Sequence, residues 1–137
     1  MEDRLDHWRD HALAVLFQIH PGSIKGPQVV KFLRALRRHG PGMVLVIWDG
    51  AATHRCRVAQ AYLQTTQGQL VAERLPAYAP ELNPAEYMWG HLKQHEIANR
   101  CAKEGWPLSL HASAALRRMR RRPRILRACF AQATLWP

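Results

Sequence analysis

The sequence is short of acidic side chains, with 10 Asp and Glu residues against 20 Lys and Arg, and it carries a net charge of +10. A cationic surface gains affinity for nucleic acid by releasing counterions, so this imbalance indicates a polyanionic partner. An Arg-rich composition also arises from GC-rich coding. Charge alone therefore favours contact with nucleic acid without establishing it.

Long apolar runs and secretion signals are also missing. No apolar run approaches the roughly 18 residues that a membrane-spanning helix needs, and residues 1–8 have neither a basic start nor an apolar segment. We therefore expect a cytoplasmic protein without a membrane partner. The three cysteines are Cys56, Cys101 and Cys129, and their wide spacing excludes a paired zinc or disulfide framework. They are interpreted as free thiols.

The chain of 137 residues suits one domain with a hydrophobic core. We expect an irregular segment over residues 1–11 and a domain over residues 12–137 that ends in a basic helical region. Strands are predicted over residues 11–20, 43–48 and 69–75, and helices over residues 28–39, 55–64, 84 to about 99 and 109–122. The apolar run 43–48 is typical of a strand buried on both faces of a sheet. The order of elements predicts a three-layer α/β fold.

Asp49 follows this apolar run directly and is the first candidate for a functional site. In open α/β sheets, ligands bind beyond the carboxyl ends of the strands. A carboxylate at this position suits divalent-metal chemistry on phosphodiesters. Asp-Gly is also a strong turn dipeptide, and the side chain could simply bond to its own backbone. His54 follows five residues later and is a candidate to lie over the same site and to contact DNA.

Glu86 is the second candidate carboxylate, in the first turn of the helix that Asn83 and Pro84 are expected to begin. The spacing of Asn83 and Glu86 also fits a capping box, in which the Glu side chain accepts the Asn83 N–H. Lys93 lies about two turns further along and is a candidate phosphate contact. Capping and metal binding both favour an ionised carboxylate here, so the sequence leaves both interpretations open.

Two further groups are weaker candidates. His91 and His95 are four residues apart on the same predicted helix, a spacing that can bind a transition metal, although exposed histidines are the simpler interpretation. The densest cationic cluster is a candidate for sequence-independent contacts with the DNA backbone, and its alternative is a solvated Arg-rich surface. Its members are Arg117, Arg118, Arg120, Arg121, Arg122, Arg124 and Arg127.

Residues 46–54 (VIWDGAATH) and 75–93 (LPAYAPELNPAEYMWGHLK) together resemble the catalytic core of DDE transposases of the mariner-related bacterial insertion-sequence group. The similarity extends from about residue 16 to residue 93. The long Pro-punctuated loop before Glu86 makes the motif specific.

The resemblance implies a ribonuclease H-like fold in which three carboxylates bind two Mg²⁺ or Mn²⁺ ions. One ion would activate water or a DNA 3′-hydroxyl, and the other would stabilise the leaving oxygen. Asp49 matches the second carboxylate of the family and Glu86 the third. The expected partners are DNA, at the transposon ends and the target, and a full-length transposase or a second copy of the chain.

The N-terminal residues depart from the family pattern. Residues 1–15 are too few for the upstream strands that carry the first carboxylate, and Asp3, Asp6 and Asp10 match no version of that motif. We therefore expect an incomplete ribonuclease H-like fold, the C-terminal portion of a transposase, with impaired DNA cleavage and strand transfer. The loss of a central strand would expose apolar faces of strand 43–48.

Two other functions remain open. The chain could be a non-catalytic remnant that binds DNA or transposase and acts as an inhibitor or a complementing subunit. It could also be an unrelated basic α/β protein, an interpretation that makes the loop motif a coincidence. A third acidic ligand, from Asp6 or Asp10, would favour catalysis.

Overall fold

The computed structural model describes residues 13–40, 42–98 and 108–134. These residues form two compact units. The first, which we call the sheet unit, contains the described residues from 20 to 79. The second, the helical unit, contains residues 13–19 and the described residues from 80 to 134. The predicted irregular segment 1–11 lies outside the described residues, and the proposed domain boundary stays a prediction.

The sheet unit consists of a helix, a strand, a helix and a strand in that order: α1 (Gly26–His39), β1 (Val44–Trp48), α2 (Arg57–Thr65) and β2 (Leu70–Arg74). The two strands are parallel, and the register pairs Val44 with Leu70 and Trp48 with Arg74. Helix α2 supplies the crossover that parallel strands require. All four elements were predicted, with bounds that differ from the structure by at most two residues.

Among the residues of this unit that the structure describes, helices cover one face of the sheet only. Val29 and Leu33 of α1, Ala59 of α2 and Leu70 of β2 form a buried cluster on that face. The opposite face of β1 is open, with Leu45 57% and Ile47 53% exposed. The prediction that strand 43–48 is buried on both faces is therefore wrong, because both helices of this unit pack against the same side.

The helical unit contains α3 (Pro84–His91), which continues as a π-helix (Leu92–Ile97), then α4 (Leu108–Arg120) and α5 (Pro123–Gln132). Its core is a cluster of five buried side chains, namely Leu92, Ala115, Leu116, Met119 and Leu126. The helix predicted over residues 109–122 corresponds to α4, which ends before Pro123. The sequence reasoning missed that this proline also begins α5, a position that suits its fixed φ angle.

The predicted strand over residues 11–20 is wrong for the part that is described, because residues 13–20 form neither strand nor helix. Leu13, Val15 and Phe17 instead pack against the core of the helical unit. The apolar run that suggested a buried strand instead packs on the helices as a segment without regular secondary structure.

Two further findings concern the expectations from composition. Cys56 and Cys129 are free thiols, and Cys101 lies outside the described residues. Among the helices that the structure describes, none is long and apolar enough to cross a membrane.

Candidate functional site

Asp49 lies directly beyond the carboxyl end of β1. The last hydrogen bond of the sheet joins the Leu75 N–H to the Trp48 carbonyl oxygen at 2.8 Å, so the backbone is fixed up to the residue before Asp49. This edge of a parallel sheet is where loops can carry reactive groups without disturbing the core. The sequence prediction of the strand end therefore places Asp49 correctly along the chain.

Two groups lie close to one oxygen of the Asp49 carboxylate. Oδ1 accepts the Ala51 N–H at 3.0 Å, and the Nδ1 atom of His54 lies 2.8 Å from the same oxygen and 3.3 Å from the Asp49 main-chain oxygen. The interpretation that the Asp49 side chain bonds to its own backbone turn is therefore correct for Oδ1. The other oxygen, Oδ2, accepts no hydrogen bond from the residues that the structure describes, and the side chain is half exposed. Asp49 therefore has both a structural role and an oxygen available to a ligand.

His54 is brought back over Asp49 by a tight turn in which the His54 N–H donates to the Ala51 carbonyl at 3.0 Å. Its ring stacks on Trp48, with centroids 4.6 Å apart and planes inclined by only 2°. The His54 carbonyl also accepts a hydrogen bond from the Gln60 side chain at 3.0 Å. Trp48, Asp49 and His54 therefore form a fixed cluster at the strand end, which we call the Asp49 cluster.

Glu86 lies in the first turn of α3. The structure shows that its carboxylate does not form the capping box that its spacing from Asn83 allowed. Asn83 caps the helix by accepting the Ala85 N–H on its side-chain oxygen at 3.1 Å, as predicted. The Asn83 N–H, which a capping box would direct to Glu86, donates to the Pro80 carbonyl at 3.0 Å. The exposed Glu86 carboxylate is therefore not needed for capping.

A cleft of about 550 Å³ opens beside Glu86 within the helical unit. One wall is the α3 and π-helix face, and the other is α5. The side chains that line it include Glu86, His91, His95, Arg124 and Gln132. The His91 and His95 rings lie 4.7 Å apart. Across residues 13–40, 42–98 and 108–134, no three His, Cys, Asp or Glu side chains gather into a metal-binding group.

Glu96, a mostly buried acid that the sequence reasoning missed, forms ion pairs with two members of the arginine cluster. Arg118 donates to Oε2 of Glu96 from Nε at 3.0 Å and from Nη2 at 2.7 Å, and Arg122 lies 3.6 Å from Oε1. The Glu96 side chain is only 12% exposed. Bonding to Arg118 holds the pKa of Glu96 below its ordinary value, and burial opposes this shift only in part. No local signal indicates a pair whose members are 22 residues apart.

The other arginines of the cluster differ in exposure. Arg117, Arg118 and Arg120 are half-buried. The exposed members are Arg121, Arg122, Arg124 and Arg127. Lys93 is also exposed, on the π-helix. Contact between these cations and DNA stays a prediction. The exposed arginines are its best candidates because their side chains are accessible to a phosphate.

Asp49 and Glu86 belong to different units, Asp49 to the sheet unit and Glu86 to the helical unit. The structure brings Asp49 together with His54 and Trp48, and it brings Glu86 together with the cleft residues. Asp3, Asp6 and Asp10, considered for the first carboxylate, lie outside the described residues.

Comparison with protein families gives one match, over residues 9–105, to the DDE superfamily endonucleases. The matched range covers well over half of the chain and contains both candidate carboxylates. The chain belongs to the DDE superfamily endonucleases. Comparisons with curated proteins and with solved structures give no significant match.

Membership of the DDE superfamily endonucleases establishes the class of chemistry. Such a domain acts on DNA, by cleavage of the kind that transposases perform, and the superfamily generally depends on divalent metal. The mixed helices and strands agree with the α/β class of these domains. The arginine cluster on α4 and α5 lies beyond the matched range.

Proposed function

We propose that this chain is a catalytic-domain portion of a DDE transposase of the mariner-related group, and that it cleaves DNA through metal-binding carboxylates at Asp49 and Glu86. The observation that carries the proposal is that each carboxylate has oxygen free of hydrogen bonds from described residues, at the end of a locally fixed segment. Strand β1 and the Asp49 turn fix the first segment. The Asn83 cap and the Pro80–Leu82 turn fix the second.

The chemistry of these donors fits magnesium or manganese. Mg²⁺ is usually held by one or two carboxylates and completes its shell with water and substrate phosphate oxygens. Asp49 Oδ2 and the Glu86 carboxylate are hard oxygen donors of this kind, and both side chains are exposed enough to admit a hydrated ion. Histidine pairs suit softer metals, so His91 and His95 do not compete for the same role.

When bound, the two metal ions would activate the attacking water or 3′-hydroxyl and stabilise the leaving oxygen of the phosphodiester. The protein's own contribution is to hold carboxylates in place. Asp49 Oδ1 is held by the Ala51 N–H and contacts His54, which leaves Oδ2 for a ligand. Glu86 lies in the first turn of α3, at the end of the helix whose dipole attracts a carboxylate.

We further propose that DNA is held by exposed cations around the helical unit. Arg124 lines the cleft beside Glu86, and Arg121 and Arg127 are exposed on the same helical pair. Arginine binds phosphate oxygens through a planar fork of donors, and such contacts hold the backbone without reading the sequence. Lys93 and the exposed edge of His54 are the remaining candidates for contacts.

The proposal includes a larger sheet than the two described strands. Parallel sheets in α/β proteins are covered on both faces, whereas Leu45, Ile47 and Val71 are exposed here. We propose that further strands, or a partner such as a second copy or a full-length transposase, cover this face. Cleavage by the chain alone is then expected to be weak.

The test is nicking of supercoiled plasmid in Mn²⁺, with Asp49→Asn and Glu86→Gln as variants. Matched controls remove the same charge from two exposed acids of the same units, Glu73→Gln and Glu81→Gln. We expect slow nicking by the unchanged chain and both controls, and none by the two site variants. Circular dichroism must show that all five proteins are folded.

Two results would contradict the proposal. Nicking that persists in Asp49→Asn or Glu86→Gln would show that the substituted carboxylate is not required for the activity. A folded chain that binds DNA without any nicking would favour the non-catalytic alternative, an inhibitor or complementing subunit.

A further inference from the structure

We propose that His54 is a positioning residue for Asp49, which it holds so that Oδ2 faces outward to bind a divalent metal ion. The inference rests on the proposed metal-binding role of Asp49. It changes the expected role of His54, which the sequence suggested only as a residue over the site and a DNA contact.

The first observation is that two groups lie close to the same oxygen of the Asp49 carboxylate. Ala51 donates its N–H to Oδ1 at 3.0 Å, and His54 Nδ1 lies 2.8 Å from Oδ1. Two contacts on one oxygen restrict the rotation of the carboxylate about the Cβ–Cγ bond. A half-exposed Asp with the backbone bond alone would retain more rotational freedom, because a single hydrogen bond constrains fewer angles.

The second observation is that His54 is itself held on three sides. Its ring stacks on the Trp48 ring with the two centroids 4.6 Å apart. Its main-chain N–H donates to the Ala51 carbonyl, and its main-chain carbonyl accepts from the Gln60 side chain. A donor that is fixed in this way loses little further freedom when it binds the carboxylate. The bond therefore adds to the order of Asp49 at low entropic cost.

The third observation is that His54 Nδ1 also contacts the backbone of Asp49. It lies 3.3 Å from the Asp49 main-chain oxygen as well as 2.8 Å from Oδ1. One ring nitrogen therefore contacts both the main chain and the side chain of the same residue, which links the carboxylate to its own backbone.

Residues that hydrogen-bond to a metal-binding side chain typically change metal affinity by about 10- to 100-fold when they are removed. Because the Ala51 bond remains, we expect the lower end of this range for His54. The effect should depend on the Nδ1 donor and much less on the imidazole ring as a whole.

Two substitutions separate the donor from the ring. His54→Phe keeps an aromatic ring to stack on Trp48 but has no donor. His54→Asn loses the ring but places an amide N–H close to where Nδ1 lies. If Phe prevents folding, His54→Ala serves as the variant without a donor, and thermal unfolding followed by circular dichroism shows which proteins are folded.

The measurement is Mn²⁺ affinity, taken from the loss of the free-ion signal in electron paramagnetic resonance during a titration of the whole chain without DNA. We expect His54→Phe to bind about tenfold more weakly than the unchanged chain and His54→Asn to stay within about threefold. Equal losses in both variants would overturn the proposal, since they would indicate a need for the ring. Unchanged affinity in His54→Phe would overturn it as well.

Asp49→Asn distinguishes this inference from the proposed function on which it rests. Weaker Mn²⁺ binding in Asp49→Asn with normal binding in His54→Phe would leave Asp49 as a ligand and remove only the positioning role. Full Mn²⁺ affinity in Asp49→Asn would remove the metal-binding role of Asp49 and the positioning role together.

Discussion

Replacing Glu96 with Gln tests a mostly buried ion pair of the helical unit. The side chain is 12% exposed and joins the π-helix to α4 through two hydrogen bonds from Arg118, with Arg122 close to its second oxygen. Glutamine has nearly the same size and keeps one acceptor oxygen. The substitution therefore removes the charge and leaves the packing nearly unchanged.

Hydrogen bonds to a charged group contribute about 1.5 to 3 kcal/mol to stability, more than bonds between neutral groups. Arg118 is 37% exposed, so water screens part of this gain. We expect Glu96→Gln to lower the free energy of unfolding by about 1.5 kcal/mol near neutral pH, at the lower end of that range.

The loss should depend on pH in a defined direction. Arg118 holds the folded-state pKa of Glu96 below its ordinary value of 4.5. The stabilisation is therefore complete above that ordinary value and is lost as the pH falls through the lower folded-state pKa. The stability difference between the unchanged chain and Glu96→Gln should shrink toward zero in that acidic range.

The assay is urea unfolding followed by circular dichroism, at neutral pH and at several acidic values. Glu81→Gln is the control, because Glu81 is exposed and its substitution should change stability by less than about 0.5 kcal/mol. A Glu96→Gln variant as stable as this control at neutral pH would refute the reasoning. A difference that stays constant into acid would refute the assigned cause.

Three further predictions concern the core, a helix cap and the cationic surface. Leu33 is 1% exposed in the core of the sheet unit, so Leu33→Ala should cost about 2 to 5 kcal/mol in urea unfolding; a cost no larger than that of Leu45→Ala, on the exposed face, would contradict the described packing. Asn83→Ala removes the cap of α3 and should lower the free energy of unfolding by about 1 kcal/mol in the same assay, whereas a neutral result would mean that the cap bond contributes nothing. Arg121→Ala should weaken DNA binding and reduce the salt dependence of the logarithm of the binding constant by about one unit, measured by fluorescence anisotropy; an equal effect of Arg37→Ala, on an exposed arginine of α1, would show that only net charge matters.

The sequence predicted well those elements whose signals are local. Helix α1 was expected from an apolar face that includes Val29 and Leu33 and from a basic last turn before Gly40, and the structure has this helix. The Asn83 cap was also local and is confirmed. Such features depend on residues three or four positions apart, which a pattern can show.

The sequence failed where burial or partners depend on distant residues. An apolar run at 43–48 cannot show whether one or both faces of the strand are covered, and Leu45 and Ile47 proved exposed. The apolar run at 13–20 could not distinguish a paired strand from an irregular segment packed on helices. Nor does a helical pattern show where the hydrogen-bond ladder widens, as it does over Leu92–Ile97.

The candidate site shows the same division. Asp49 at a strand end and Glu86 at a helix start follow from local pattern and from the family motif. The contact between His54 and Asp49 requires the turn in which the His54 N–H donates to the Ala51 carbonyl. Glu86 does not cap α3 because the Asn83 N–H donates to the Pro80 carbonyl instead. The pairing of Arg118 with Glu96 depends on tertiary packing, so the sequence could not separate this arginine from the DNA-contact candidates.

The most direct test of the account is to map where the metal ion binds along the chain. Fe²⁺ in place of Mg²⁺, with ascorbate and peroxide, produces hydroxyl radicals that cut the backbone close to the bound ion, and mass spectrometry locates the cuts. The account predicts cuts near residue 49 and near residue 86, both suppressed by excess Mg²⁺. Cuts at neither position, or cuts that Mg²⁺ does not suppress, would contradict the assignment of Asp49 and Glu86 as the metal-binding carboxylates.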